Sequence, residues 1–285
     1  MIGTRENSML NRFSVVICGL LLLTACQQQP TVDPLAYGPD VKTLVVTDLS
    51  AEALAKADDF IAQAIAVTGG YEAWINAKKL ELDCVVTFYE PPHLLVEDKS
   101  GGGFYLTQQH HEVYPWSNSV RISATEPQGK FVSLLSQDNF TSAQGQARYD
   151  IRNTIYAVRA ITTAPVRLLV RRSLGEGGLD KLAEFSKRSE PVKIQGLWYY
   201  PIQCSSPVSR IAPDGTREVV FYQNRDTALI DIVSFVGEKE SLLVRGYDYR
   251  QVKETGVLLP TRIEVFAATP AGVIQHRLLK IDYYN

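Results

Sequence analysis

Apolar positions recur along this chain at two periods, and the changes of period divide it. Over residues 50–67, Leu54, Ala57, Ile61, Ala64 and Ile65 fall on one helical face, while Lys56, Asp59 and Gln63 lie off it. That spacing predicts an amphipathic helix, with Ser50 as its N-cap and Gly69-Gly70 as its stop. Residues 71–77 predict a short helical turn that points Trp74 back at the core. From Lys79 to Glu90 the period drops to two. Leu80, Leu82, Cys84, Val86 and Phe88 alternate with Glu81, Asp83, Val85, Thr87 and Tyr89. One apolar face and one mixed face describe a strand of an antiparallel sheet. Further strands are expected at 94–98, 104–109, 119–125 and 130–136, with turns at Gly101-Gly102-Gly103, Pro127-Gln128-Gly129 and Asp138-Asn139. Helical spacing returns at Ile151, Ile155, Val158 and Ile161. Two more helical pieces are expected at 164–172, where Pro165 suits a first turn, and at 179–187. The remainder reads as strands: 192–195, 197–203, 208–212, 218–223, 229–235, 242–251, 259–267 and 274–284. The fold class this predicts is α+β, built on an antiparallel sheet.

The N-terminus follows another logic. Arg5 and Arg12 precede a ten-residue apolar run, residues 14–23, too short for a membrane-spanning helix of roughly 20 residues. Leu23-Thr24-Ala25-Cys26 then resembles the lipobox of bacterial lipoproteins at all four positions. The resemblance implies cleavage before Cys26, lipid on its sulfur and acylation of its new amino group. Residues 1–25 are then signal peptide. Residues 26–48, with Pro30, Pro34, Gly38 and Pro39, form a polar tether. About 20 flexible residues reach roughly 25 Å. Gln27 after the anchor favours, by analogy with enteric sorting rules, the outer membrane and a domain facing the periplasm.

Residues 49–285 carry a second resemblance. Val67-Thr68-Gly69-Gly70-Tyr71-Glu72-Ala73-Trp74 leads into Lys79-Leu80, and Gly256-Val257-Leu258-Leu259-Pro260-Thr261-Arg262-Ile263 turns into a late strand. With Ala164-Pro165-Val166-Arg167-Leu168-Leu169 and the order of elements, these phrases resemble the LolA/LolB-like superfamily of lipoprotein carriers and receptors. The resemblance implies a strongly curved antiparallel sheet, an incomplete β-barrel with helices plugging its concave side, and an apolar cavity for acyl chains.

Composition narrows the partners. Full-length net charge is −2, and the discarded Arg5, Arg12 and Glu6 leave −3 on residues 26–285. That excludes a general affinity for nucleic acid. Residues 148–188 run against this balance, with nine Arg or Lys against four acids. Arg152, Arg159 and Arg167 are the candidates for a basic surface toward anionic lipid or an acidic partner; the alternative is a solvated helical face. Cys84 and Cys204 remain after processing, open to a disulfide or to two buried thiols.

The chemical motifs do not assemble. His110-His111-Glu112 has Pro115 where a zincin helix needs its second His, so the sequence predicts no metal and instead two exposed histidines near a strand end. No Gly-x-Ser-x-Gly elbow occurs, and Leu174-Gly175-Glu176-Gly177-Gly178 lacks the Lys-Ser/Thr of a phosphate loop. No catalytic residue or cofactor is expected. A hydrolase would need convergence around His93, His110 or His111. The leading expectation is a non-enzymatic, outer-membrane-anchored lipoprotein that binds an apolar or lipid ligand. Leu80, Leu82, Val86 and Phe88 would line the site, or else form plain core. The alternative is a non-catalytic structural or interaction module of an envelope complex, bound to a protein partner.

Overall fold

In the computed structural model the strand Leu80–Tyr89, β1, lies mid-sheet. It pairs antiparallel with β2 (Phe104–Tyr114) on one side and with the last strand, β13 (Ile274–Tyr283), on the other. The structure describes residues 60–89, 104–117, 119–126, 129–136, 139–145, 151–168, 185–188, 190–204 and 212–284. All of these lie within the unit Tyr37–Asn285. Cys26, the tether, His93 and the expected strand at 94–98 are outside the described residues.

Among the described residues, thirteen strands make one antiparallel sheet. A first meander runs β1, β2, β3 (Ser119–Glu126), β4 (Gly129–Ser136) and β5 (Asn139–Gln144). A second runs β8 (Leu197–Cys204), β9 (Thr216–Asn224), β10 (Ile230–Gly237), β11 (Ser241–Gln251), β12 (Leu258–Ala268) and β13. Strands β6 (Phe185–Arg188) and β7 (Val192–Ile194) both pair with β8. The β1–β13 pairing joins the two meanders. The path ends at β5 and β6, so the sheet is not closed.

Among the described residues the helices are few and short. Helix α1 spans Phe60–Val67, buries Ile61, Ala64 and Ile65, and ends at Gly69 with φ 116°. Helix α2, Gly70–Asn76, buries Trp74 and Ile75. Trp74 Nε1 donates to Thr68 Oγ1 at 2.9 Å, and Trp116 Nε1 donates to Trp74 O at 2.8 Å. The corner between α1 and α2 sits on the β11–β12 turn, where Leu258 N donates to Thr68 O at 3.0 Å. The two phrases around Gly69 and Gly256, far apart in sequence, therefore pack on one another.

Helix α3, Arg152–Thr162, sets the curvature of the sheet. It packs against β3 and also against β10, β11 and β12. Strands β3 and β10 are six neighbours apart, which in a flat sheet is about 29 Å. An 11-residue helix is only about 16 Å long and 10–12 Å across. One helix reaches both only if the sheet wraps around it. Ile155, Val158, Val233, Val244, Val265 and Ile281 then meet in a single core.

Several strands run past their expected ends. β2 continues to Tyr114 instead of stopping at Gln109, and Asn139, expected in a turn, opens β5. The described end of the expected helix at 179–187 is instead strand β6.

Candidate functional site

On an antiparallel pair, directly opposed residues share a face. β1 therefore aligns Leu82 with His111, Cys84 with Gln109, Val86 with Thr107 and Phe88 with Tyr105. All four β1 residues are buried, and they flank a row of polar residues from β2 that no apolar pattern announces. His111 is 0% exposed, Gln109 3% and Thr107 6%.

The row is wired in one direction. The Tyr283 hydroxyl lies 3.0 Å from His111 Nδ1, and His111 Nε2 lies 2.9 Å from Gln109 Oε1. Burial pushes the imidazole down to about 3, so the ring is neutral at ordinary pH and carries one N–H. That N–H donates to Gln109 Oε1, and Nδ1 accepts from Tyr283. The amide of Gln109 is thereby turned so that Nε2 faces away from His111. That nitrogen has no hydrogen-bond partner, and neither has Thr107 Oγ1 on the same face.

Cys84 adds a thiol to this group. Its Sγ lies 3.4 Å from His111 Nε2 and 3.6 Å from Gln109 O. The atoms are those of a nucleophile and a base, but their environment disarms both. Burial pushes the thiol well up, with Asp83 adding to the shift, while His111 loses its proton to the same desolvation. The cluster orients hydrogen bonds; it does not generate a thiolate. Cys84 is a buried free thiol.

The opposite face of the same strands is ionic. Asp83 Oδ1 lies 2.7 Å from His110 Nδ1, Arg121 reaches Glu112 at 2.8 Å, and Lys79 pairs with Glu81. Glu81, His110 and Glu112 hold ligand atoms within 4.8 Å of one another. The Lys79 and Arg121 cations already satisfy the two carboxylates and oppose a metal ion there. The expectation of two exposed histidines at a strand end fails on burial. His110 is half-buried and within hydrogen-bond distance of Asp83, and His111 is enclosed, because adjacent residues of a strand face opposite sides.

The basic surface also fails as predicted. Arg152 is exposed, but Arg159 is 0% exposed and Arg167 5%. Arg167 lies over the Phe221 ring, 5.7 Å from its centre. Arg152 and Arg159 are seven residues apart and share a helix face. The start of α3 is open to water, while its second half lies inside the wrapped sheet.

A second buried group lies under the β7–β8 hairpin. The Tyr199 hydroxyl donates to Asp231 Oδ2 at 3.4 Å, and Arg245 donates to Gln195 in the hairpin turn. Burial pushes the Asp231 carboxyl up to about 6, against the downward pull of Arg245 and the Tyr199 hydroxyl.

Gln109, Thr107 and Tyr283 were missed in the sequence. The available signal was the continuation of alternation through Thr107, Gln109, His111 and Val113, which put polar residues in core positions.

No helix among the described residues is long and apolar enough to cross a membrane. No protein-family model and no curated protein matches the chain. Among solved structures, the chain is similar to a LolA superfamily protein from Nitrosomonas europaea, with 12% identity over 79% of this chain and 90% of that one and a TM-score of 0.44. It is also similar to a DUF1329 family protein from Desulfovibrio piger, with 9% identity over 86% and 90% of the two chains and a TM-score of 0.35.

Proposed function

We propose that this chain is a lipid-anchored periplasmic protein of the outer membrane that holds an apolar or amphiphilic ligand between its sheet and its helices. The observation that carries the reading is the polar row on β2. An apolar wall with a few placed polar groups is the usual make-up of a ligand site. Leaving a buried donor unpaired costs about 1–3 kcal/mol. Two such groups side by side, Gln109 Nε2 and Thr107 Oγ1, are accounted for by a ligand that satisfies them. Leu82, Val86 and Phe88 supply the wall, and burial of acyl chain against it contributes about 25 cal/mol per Å². Cys26 ties the domain to one membrane, which suits a receptor or holder rather than a shuttle.

The test uses the full chain with Cys26→Ala behind a cleavable signal, isolated from cells without detergent. Organic extraction and mass spectrometry should recover an amphiphile in near-equal amount with the protein. Repeated recovery of lipid-free protein would contradict the reading.

The second reading, an interaction module, is favoured by Phe104 and Leu106, 65% and 52% exposed on the outward face of β2. Cross-linking from these positions in the envelope should then capture one stoichiometric partner.

A further inference from the structure

The hairpin of β7 and β8 is apolar on both sides. Val192 pairs with Tyr199, Lys193 with Trp198 and Ile194 with Leu197. Opposed residues share a face and successive ones alternate. Val192 and Leu197 therefore stand on one face and Trp198 on the other. All three are exposed, by 39%, 42% and 37%. A folded partner laid on one face leaves the other in water. A bilayer interface surrounds a hairpin tip and covers both.

The rest of the hairpin suits that medium. Its turn is Gln195-Gly196, both with positive φ, and its strands pair with each other, so the backbone carries its own hydrogen bonds. Lys193 Nζ and the Arg225 guanidinium each lie 5.8 Å from the centre of the Trp198 ring. An indole with cations beside it matches the membrane interface, where the ring meets acyl chains and the cation meets head-group phosphate. Two acids stand near: Asp226, with Oδ1 3.2 Å from Arg225 Nε, and the exposed Glu190. They balance the two cations, so phosphate is recognised as a group and the bilayer need carry no net charge. Arg245 of β11 donates to Gln195, which holds the tip and limits its entry to the interface.

The tether leads to the same end of the sheet. Trp198 O accepts from Arg225 N at 2.9 Å, and Gln223, two residues before Arg225, donates from Nε2 to Phe60 O at 2.9 Å. Phe60 opens α1, so the chain that follows Cys26 enters the domain beside this hairpin.

We propose that Val192, Leu197 and Trp198, at the tip of the β7–β8 hairpin, enter the interface of the phospholipid bilayer to which the chain is tied. The proposal takes that membrane from the Cys26 reading above. A contact of this size holds only marginally by itself. It orients an anchored domain on its membrane and does not replace the anchor.

The test adds excess vesicles of phosphatidylethanolamine mixed with phosphatidylglycerol to the full chain carrying Cys26→Ala. Trp74 and Trp116 are only 1% and 6% exposed, so a shift of tryptophan emission to shorter wavelength reports Trp198. The shift should saturate with lipid, brominated acyl chains should quench it, and Trp198→Phe should abolish it. Trp198→Ala and Leu197→Ser, on opposite faces, should each lower co-sedimentation with the vesicles, by about tenfold for the indole. Both side chains are exposed, and unchanged melting temperatures separate loss of contact from loss of fold. Absence of the shift, a shift that persists in Trp198→Phe, or binding that depends on one face alone overturns the proposal. No lipid is attached at position 26 in this protein, so that result leaves the anchor and the ligand site standing.

Discussion

His111 Nε2 lies 2.9 Å from Gln109 Oε1, and the two residues share one face of β2. A buried neutral imidazole thus fixes which end of a neighbouring amide is left open. The arrangement makes stability depend on acid. His111 is pushed down to about 3 in the folded protein, while the unfolded chain titrates near 6.5. Between these values the unfolded state binds the extra proton, so this residue lowers stability as pH falls, by at most about 1.4 kcal/mol per pH unit.

Asp231 acts in the opposite sense. Its carboxyl is raised to about 6, against about 4 unfolded. The folded state holds the extra proton in that window, so stability falls as pH rises through it. The two slopes oppose each other between pH 4 and 6. Urea titrations should find Asp231→Asn losing stability more steeply than wild type as pH drops from 6 to 4. His111→Phe should lose it less steeply. Parallel profiles for all three proteins would show that neither group titrates as described.

Gly69 should not tolerate a side chain. Its φ is 116°, and an added Cβ would lie 2.6 Å from Gly256 O. Strain of this kind costs about 1–3 kcal/mol, and each kcal/mol lowers Tm by about 2–4 °C in a domain of this size. Gly69→Ala is expected to melt roughly 3–10 °C lower. Gly70→Ala, at φ 79° with nothing within 4 Å, should lose less. Equal losses would mean that the contact between the two turns contributes nothing.

Cys84 is 0% exposed and its thiol is shifted well up. Peptide mapping after alkylation at pH 8 should find it protected in the folded chain and modified on unfolding in urea. Modification at the rate of a free thiol in native buffer would place it outside the core.

Cys26→Ala should move the protein from the membrane pellet to the soluble fraction. Retention in the pellet would mean that something other than lipid on Cys26 holds it.

The strands were legible because alternation is a local signal. Leu80 to Phe88 and Leu242 to Val244 announce their buried faces without knowledge of the fold. The turn at Gly69-Gly70 was legible for the same reason. What escaped was set by distant contacts. Arg159 resembles Arg152 in sequence, and only the wrapping of β3 and β10–β12 around α3 decides that one is buried and the other exposed. His111 and Gln109 resemble solvent-facing residues until Tyr283, 172 residues from His111, is brought beside them by the β1–β13 pairing.

The claim at the centre of this account is that a ligand lies between the sheet and α3. The most direct measurement is photo-cross-linking with an acyl chain carrying a diazirine near its middle, on the full chain with Cys26→Ala, followed by peptide mapping. The account predicts saturable labelling of β1 around Val86 and Phe88, competed by unlabelled 1-oleoylglycerol. Labelling confined to the exposed Phe104 and Leu106, or labelling that never saturates, would contradict it.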